Sequence, residues 1–419
     1  MNKEQSTLLP MLILGTLFFI FGFVTWLNGS LIPFLKIICE LSEFEALFVT
    51  FAFYIAYTVM AFPMSYILER VGYKKGMSWG LAVMAFGSLL FIPAALSGEY
   101  LLFLLALFVL GTGLTILQSA SNPYIVLLGP IESAASRISI MGLINKGAGV
   151  LAPLLFTAVV FSGMPQGSEL QSVEKSLLAK QLIIPYIAMA ITLTALALFV
   201  QFSKLQSLSI AEDSCDNGSV FAFPKVVLGA VALFFYVGIE VIAGDTIGLY
   251  AQSLGVANAT TMTSYTMAFM VLGYLGGVFF IPRYISQESA LRYSASLGAL
   301  LLIAVTFSSQ TDTSVAELLW GWSGIAVVPN AVTFVALLGL ANALVWPAIW
   351  PLALKDIGKH TQKASALLIV SIAGGALLPL AYARVAEEFG SMQVAYLFGI
   401  LCYLFIYMYA SSWHKKKSW

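Results

Sequence analysis

Four amides stand where oil would be expected. Asn28, Gln118, Asn122 and Asn145 each lie inside or at the edge of a long apolar run. Gln118 and Asn122 are four apart, so on a helix both face one direction. Amides donate and accept at once, which suits adjacent hydroxyls of a polyol. Trp26, Trp346 and Trp350 lie in similar runs and offer flat faces for the C–H side of a sugar ring. Asn342, Trp346 and Trp350 again fall at steps of four. Three ionisable groups share the same surroundings: Lys146, Glu240 and Asp245. A carboxylate in hydrocarbon binds a cation, takes a proton or pairs with a base. Glu240 lies fifteen residues beyond Lys225, or ~22 Å along a helix, and Lys146 nine residues beyond Arg137, or ~14 Å. A Lys146–Glu240 pair is therefore within partial reach but not assured. Asp245, further along the same run, is expected to lie toward water at the outer side. Amides also glue membrane helices together at ~0.6–2 kcal/mol each, so any one of them has a purely structural reading. The set taken together favours a site.

These groups need elements to hold them. The chain has 419 residues, 60% hydrophobic and 10% charged, with a mean hydropathy of +0.93. Soluble domains carry roughly 25% charged residues, so a soluble enzyme is excluded. Twenty basic and twenty acidic side chains balance, leaving no basic surface for nucleic acid. Two His and three scattered Cys supply neither a His-based catalytic triad, a disulfide framework nor a paired-Cys metal knuckle.

A spanning helix needs about 20 apolar residues. Such runs occur near 8–34, 44–68, 76–96, 100–128, 137–162, 181–203, 224–252, 262–282, 290–309, 331–354, 364–386 and 393–412, which makes twelve. The Trp-rich stretch 313–330 is too short to cross and is expected to lie at the headgroup level. The first run lacks a small-residue cleavage site and reads as a span. With the N-terminus inside, inner segments hold fifteen Lys and Arg and outer segments four, which predicts cytoplasmic termini.

The chain is expected to be an all-α membrane protein of two pseudo-symmetric six-helix bundles, 1–205 and 223–419, joined by a cytoplasmic linker at 206–222. Weak repeats support this. Gly111 to Pro123 matches Gly339 to Pro351 in its spacing of Gly and Pro, setting Gln118 against Trp346 and Asn122 against Trp350. The string Gly149-Val-Leu-Ala-Pro153 matches Gly375-Ala-Leu-Leu-Pro379. Pro123 is expected to break the hydrogen-bond ladder and bend the helix that carries Gln118. Glu69 and Arg70, in the basic loop between the second and third spans, are candidates for a conformational latch that changes partners during a cycle.

Glu69-Arg-Val-Gly-Tyr-Lys74, on this plan, resembles the inner loop of the major facilitator superfamily. Trp26-Leu-Asn-Gly-Ser-Leu-Ile-Pro33, Gln118-Ser-Ala-Ser-Asn-Pro-Tyr-Ile-Val-Leu-Leu-Gly-Pro130 and Arg137-Ile-Ser-Ile-Met-Gly-Leu-Ile-Asn145 resemble the bacterial fucose/galactose/glucose symporters, nearest the glucose/galactose and N-acetylglucosamine branch. The resemblance implies hexose uptake driven by an ion gradient, in the bacterial inner membrane. In the fucose branch the positions matching Gly29 and Gln118 are acidic. Their absence here leaves Glu240, with Asp245, as the coupling carboxylates and as candidate sodium ligands; sodium and proton both stay open. No cofactor is expected, and the partners are a hexose and lipid, with the chain a monomer. A drug exporter and a non-transporting sugar sensor are the rival readings. An intramembrane aspartyl protease would need a second membrane Asp beside Gly244-Asp245.

Overall fold

The computed structural model describes residues 8–128, 134–160, 175–203, 205, 220–281, 284–355, 357, 360–416 and 418–419. Twelve helices among them are long and apolar enough to cross a membrane: spans 1 to 12 at Leu9–Ile38, Glu43–Ala61, Tyr73–Ser97, Tyr100–Asn122, Arg137–Val160, Lys175–Phe202, Pro224–Ser253, Ala259–Phe280, Gln287–Phe307, Asn330–Leu354, Ala364–Phe389 and Met392–Lys415. Helix is the form that satisfies every backbone group within hydrocarbon, which is why apolar length alone locates these elements. An even number returns both ends of the chain to one face. Most of the linker expected at 206–222 lies outside the described residues; Val220–Ala222 forms a short turn of 3₁₀ helix.

Packing repeats with an offset of six. In the first half span 1 packs on span 5, span 4 on spans 2 and 3, and span 3 on span 6. In the second half span 7 packs on span 11, span 10 on spans 8 and 9, and span 9 on span 12. Across the halves span 1 meets span 7, span 2 meets span 11, and span 5 meets span 8. A two-fold axis between spans 1 and 7 relates all of these. The matched glycines show the repeat at atomic scale. A Cβ on Gly111 would overlap the Phe53 carbonyl oxygen of span 2, and one on Gly339 would overlap the Thr266 carbonyl oxygen of span 8. Only a residue without a Cβ lets these backbones approach so closely.

The helix that carries Pro123 continues to Leu127, held by the packing of span 4 on spans 2 and 3. Two local expectations are corrected. Residues Ser314–Trp320 form a helix rather than a loop, and Trp322 beyond it is exposed. Span 10 is not continuous. Helix ends at Asn342 and restarts at Val345. Pro347 explains the break, because its ring clashes with the carbonyl four residues earlier, that of Ala343. Span 11 is interrupted likewise, with a 3₁₀ turn at Ser371–Ala373, six to eight residues before Pro379.

Candidate functional site

The site centres on a buried ion pair that joins the halves. Lys146 Nζ of span 5 lies 2.6 Å from Glu240 Oε1 of span 7, and the two residues are only 8% and 7% exposed. The difference in depth expected from helix rise is closed by the flexible four-carbon stem of lysine. The same ammonium sits 4.4 Å from the ring centroid of Trp26 on span 1, a cation–π contact in a desolvated setting. Trp26 is wedged between halves. A Cβ on Gly149 would come within 2.6 Å of the indole, and so would one on Gly244; the two glycines form its slot. Lys146 and these close-packed glycines occupy much of the ring's surroundings, so Trp26 offers less open face than expected of it. Its Nε1 has no hydrogen-bond partner.

Asp245 departs furthest from expectation. It is fully buried rather than at the water's edge. Neither carboxylate oxygen has a hydrogen-bond partner, and the group lies within Coulombic reach of Glu240 and Lys146. Span 7 is the most buried of the twelve, which accounts for this: it faces spans 1, 8, 10, 11 and 12 together.

The amides divide. Asn28 and Asn145 are buried with their Nδ2 groups unpaired. Gln118 is buried and donates from Nε2 to the Tyr57 hydroxyl of span 2 at 3.0 Å. Asn122, a turn further on, is half-buried. Asn342 turns away to span 12, where its Oδ1 accepts from the Tyr403 hydroxyl at 2.9 Å. The break after residue 342 removes it from the stripe shared with Trp346 and Trp350, while its Nδ2, like those of Asn28 and Asn145, is unpaired. Those two indoles stay together, with ring centroids 5.5 Å apart and Tyr236 6.3 Å from Trp346. Both are half-buried, and Trp350 Nε1 is unpaired.

The phenols were missed from the sequence. Tyr54 and Tyr57 stack at 6.2 Å; Tyr54 faces both carboxylates and packs on Gly375 of span 11. Tyr236, one turn before Glu240, interacts with its carboxylate. The available signal was that a tyrosine in a span carries a hydroxyl that needs a partner, but eighteen tyrosines in the chain made it unselective.

At the loop between spans 2 and 3, Arg70 lies over the Tyr66 ring at 4.2 Å and donates to its hydroxyl. The Glu69 side chain lies outside the described residues. The inter-helix clasp there is Lys74, whose Nζ donates to the Ser203 carbonyl at the end of span 6, at 2.6 Å. Lys225 does the same to the Lys355 carbonyl after span 10. Cations at helix C-termini complement the exposed carbonyls and the dipole.

The description "Major Facilitator Superfamily" matches residues 14–378. The chain belongs to the major facilitator superfamily. Within this superfamily it is 33% identical over 405 residues to the glucose/galactose transporter of Brucella abortus (strain 2308), covering 94% of this chain and 92% of that one. It is 25% identical to the L-fucose-proton symporter of Escherichia coli (strain K12), covering 98% and 94%. These place it in the fucose/galactose/glucose symporter family. A solved structure of a superfamily transporter, FucP, in the outward conformation superposes with a TM-score of 0.73 at 24% identity, over 97% of this chain and 99% of that one. A D-xylose-proton symporter superposes at 0.71 with 15% identity, over 98% and 99%. Both share the fold.

Proposed function

We propose that this protein imports a neutral hexose or amino-hexose, of the glucose, galactose or N-acetylglucosamine type, together with a cation, by alternating access. The observation that carries the reading is the set of buried donors without partners between the halves: Asn28 Nδ2, Asn145 Nδ2, Trp26 Nε1 and Trp350 Nε1. An unsatisfied buried donor costs about 1–3 kcal/mol, and a polyol seated between the bundles satisfies several at once. Gln118 presents its remaining amide groups from span 4, and the Trp346–Trp350 pair supplies the apolar face from span 10. Asn122 lies at the edge of this lining. The charges support a neutral substrate: Lys146 is already committed to Glu240, so among the described residues it is not free to hold a phosphate or carboxylate. Relatives named for glucose and galactose transport and for fucose-proton symport support the class.

The termini are placed in the cytoplasm by the excess of Lys and Arg on their side, in a bacterial inner membrane. The Glu69–Arg70 loop is read as the latch on that face, with Arg70 exchanging Tyr66 for a helix end in another state. Uptake of labelled glucose, galactose and N-acetylglucosamine into proteoliposomes tests the reading. Gln118→Ala is expected to weaken the affinity for the transported sugar tenfold or more. Unchanged affinity removes the site assignment, and no uptake of any of the three by the unaltered protein removes the hexose.

A further inference from the structure

The buried charges do not cancel. Lys146 and Glu240 form a neutral pair at 2.6 Å, and Asp245, fully buried with both oxygens unpaired, is left over. With Asp245 ionised, the centre holds a net charge of minus one in a place where an isolated ion is very unfavourable. We propose, resting on the symport reading above, that Asp245 is the coupling site and that it binds one proton per sugar, with Glu240 held by Lys146.

Every element packed on span 7 bears this out. Span 1 presents the uncharged Trp26 and Asn28, and its Lys36 is at the far end, paired with Glu43 at 3.5 Å. Spans 8 and 10 carry no charged residue within their bounds. Span 11 carries Arg384, Glu387 and Glu388 in its last turns, with Arg384 on Glu387 at 3.0 Å, and Tyr382, which donates to the Met392 carbonyl. Span 12 contributes phenols, Tyr396, bonded to the Thr246 hydroxyl at 2.9 Å, and Tyr403, held by Asn342, and in its last turn, at the far end of span 7, His414 and Lys415, which face Glu288 at 3.2 and 3.9 Å. From across the interface come Lys146 and Tyr54. Arg137, the other buried cation of span 5, donates to the Ile125 carbonyl at 3.0 Å, nine residues before Lys146. Lys146 is thus the cation in reach of Asp245, and Glu240 holds it.

The choice of proton over sodium rests on the oxygens nearby. A sodium ion needs a shell of several. The two carbonyls that precede Asp245 are taken, that of Gly244 by the Thr263 hydroxyl at 2.7 Å and that of Ala243 by the Thr266 hydroxyl at 3.1 Å. The Thr246 hydroxyl donates to the Ile242 carbonyl at 2.6 Å. A proton needs one carboxylate oxygen. The step is a simple one: the carboxylate takes a proton from water on one side, becomes a neutral acid, and returns the proton to water on the other side. The loaded centre is then neutral with a neutral sugar aboard.

The test uses the whole chain in proteoliposomes, with pH, sodium and voltage imposed separately. The unaltered protein is expected to move one proton and one charge per sugar, so 100 mV sustains about 50-fold accumulation of sugar. Asp245→Asn is expected to exchange labelled for unlabelled sugar but to accumulate none above equilibrium, and to lose the pH dependence of sugar binding. Accumulation by Asp245→Asn, drive by sodium at clamped pH, or two charges per sugar each overturns the proposal. The stoichiometry of the unaltered protein decides even where the variant does not fold. Absence of any sugar exchange by the unaltered protein would instead sink the hexose reading, a separate result.

Discussion

A buried ion pair is worth little by its presence and a great deal by its breakage. Taking Lys146 and Glu240 out of water roughly offsets their attraction, whereas removing one partner strands the other at about 3–5 kcal/mol. Lys146→Met leaves Glu240 and Asp245 as two unbalanced carboxylates in one apolar centre. It is expected to lower the detergent melting temperature sharply, and the double variant Lys146→Met with Glu240→Leu to recover most of that loss. If the double variant melts as low as the single one, the pair is not what the fold depends on there. The same scale separates the amides. Gln118 has one partner and spare capacity; Asn28, Asn145 and Asn342 each keep a free Nδ2 donor, and the Asn342 Oδ1 accepts from Tyr403. Residue type alone made all of them equal candidates.

At the scale of elements, the break in span 10 decides which side chains share a face. A continuous helix would align Asn342 with Trp346 and Trp350; the interruption at 343–344 lets Asn342 turn to span 12 while the two indoles keep to each other. Discontinuous helices at a repeat interface are a recurring way of building a transporter site. Pro347→Ala restores the missing donor and removes the clash. It is expected to keep the protein folded, since a helix bond is regained, and to weaken sugar affinity at least several-fold by turning Trp346 on its axis. An equal melting temperature with unchanged affinity would show that the break does not position the indoles. Spans 4 and 10 are matched by the repeat, yet only span 10 is broken: Pro123 is passed without interruption. Two prolines four apart, Pro347 and Pro351, leave span 10 with less ladder to hold it straight.

For the whole molecule, four hydrogen bonds that cross between the halves, beyond the central Lys146–Glu240 pair, lie toward the face away from the termini. Ser30 donates to the Thr260 carbonyl at 2.5 Å, Thr157 and Thr260 share a bond of 2.8 Å, Ser264 donates to the Val150 carbonyl at 2.7 Å, and Gln252 to the Pro33 carbonyl at 3.4 Å. They hold the two bundles together there through neutral hydroxyls, an amide and carbonyls, worth about 0.5–1.5 kcal/mol each. Such bonds are weak enough to open within a transport cycle. The pair Thr157→Cys with Thr260→Cys is expected to cross-link under oxidant and to stop uptake, with reductant restoring it. Uptake that continues through a completed cross-link would show that this face does not open.

Twelve spans, two halves with matched glycines and the polar groups at mid-span were all legible in the sequence. The reason is local: bilayer thickness fixes the length of an apolar run, and the cost of a polar group in oil makes each exception stand out. Which partner each polar group meets was not legible. Lys146 and Glu240 are 94 positions apart, and periodicity places a side chain on a face without saying which helix lies opposite. Packing of the two bundles brought that pair together, closed Trp26 between two glycines, sent Asn342 to Tyr403 and left Asp245 alone, because each of those outcomes depends on contacts between segments remote along the chain.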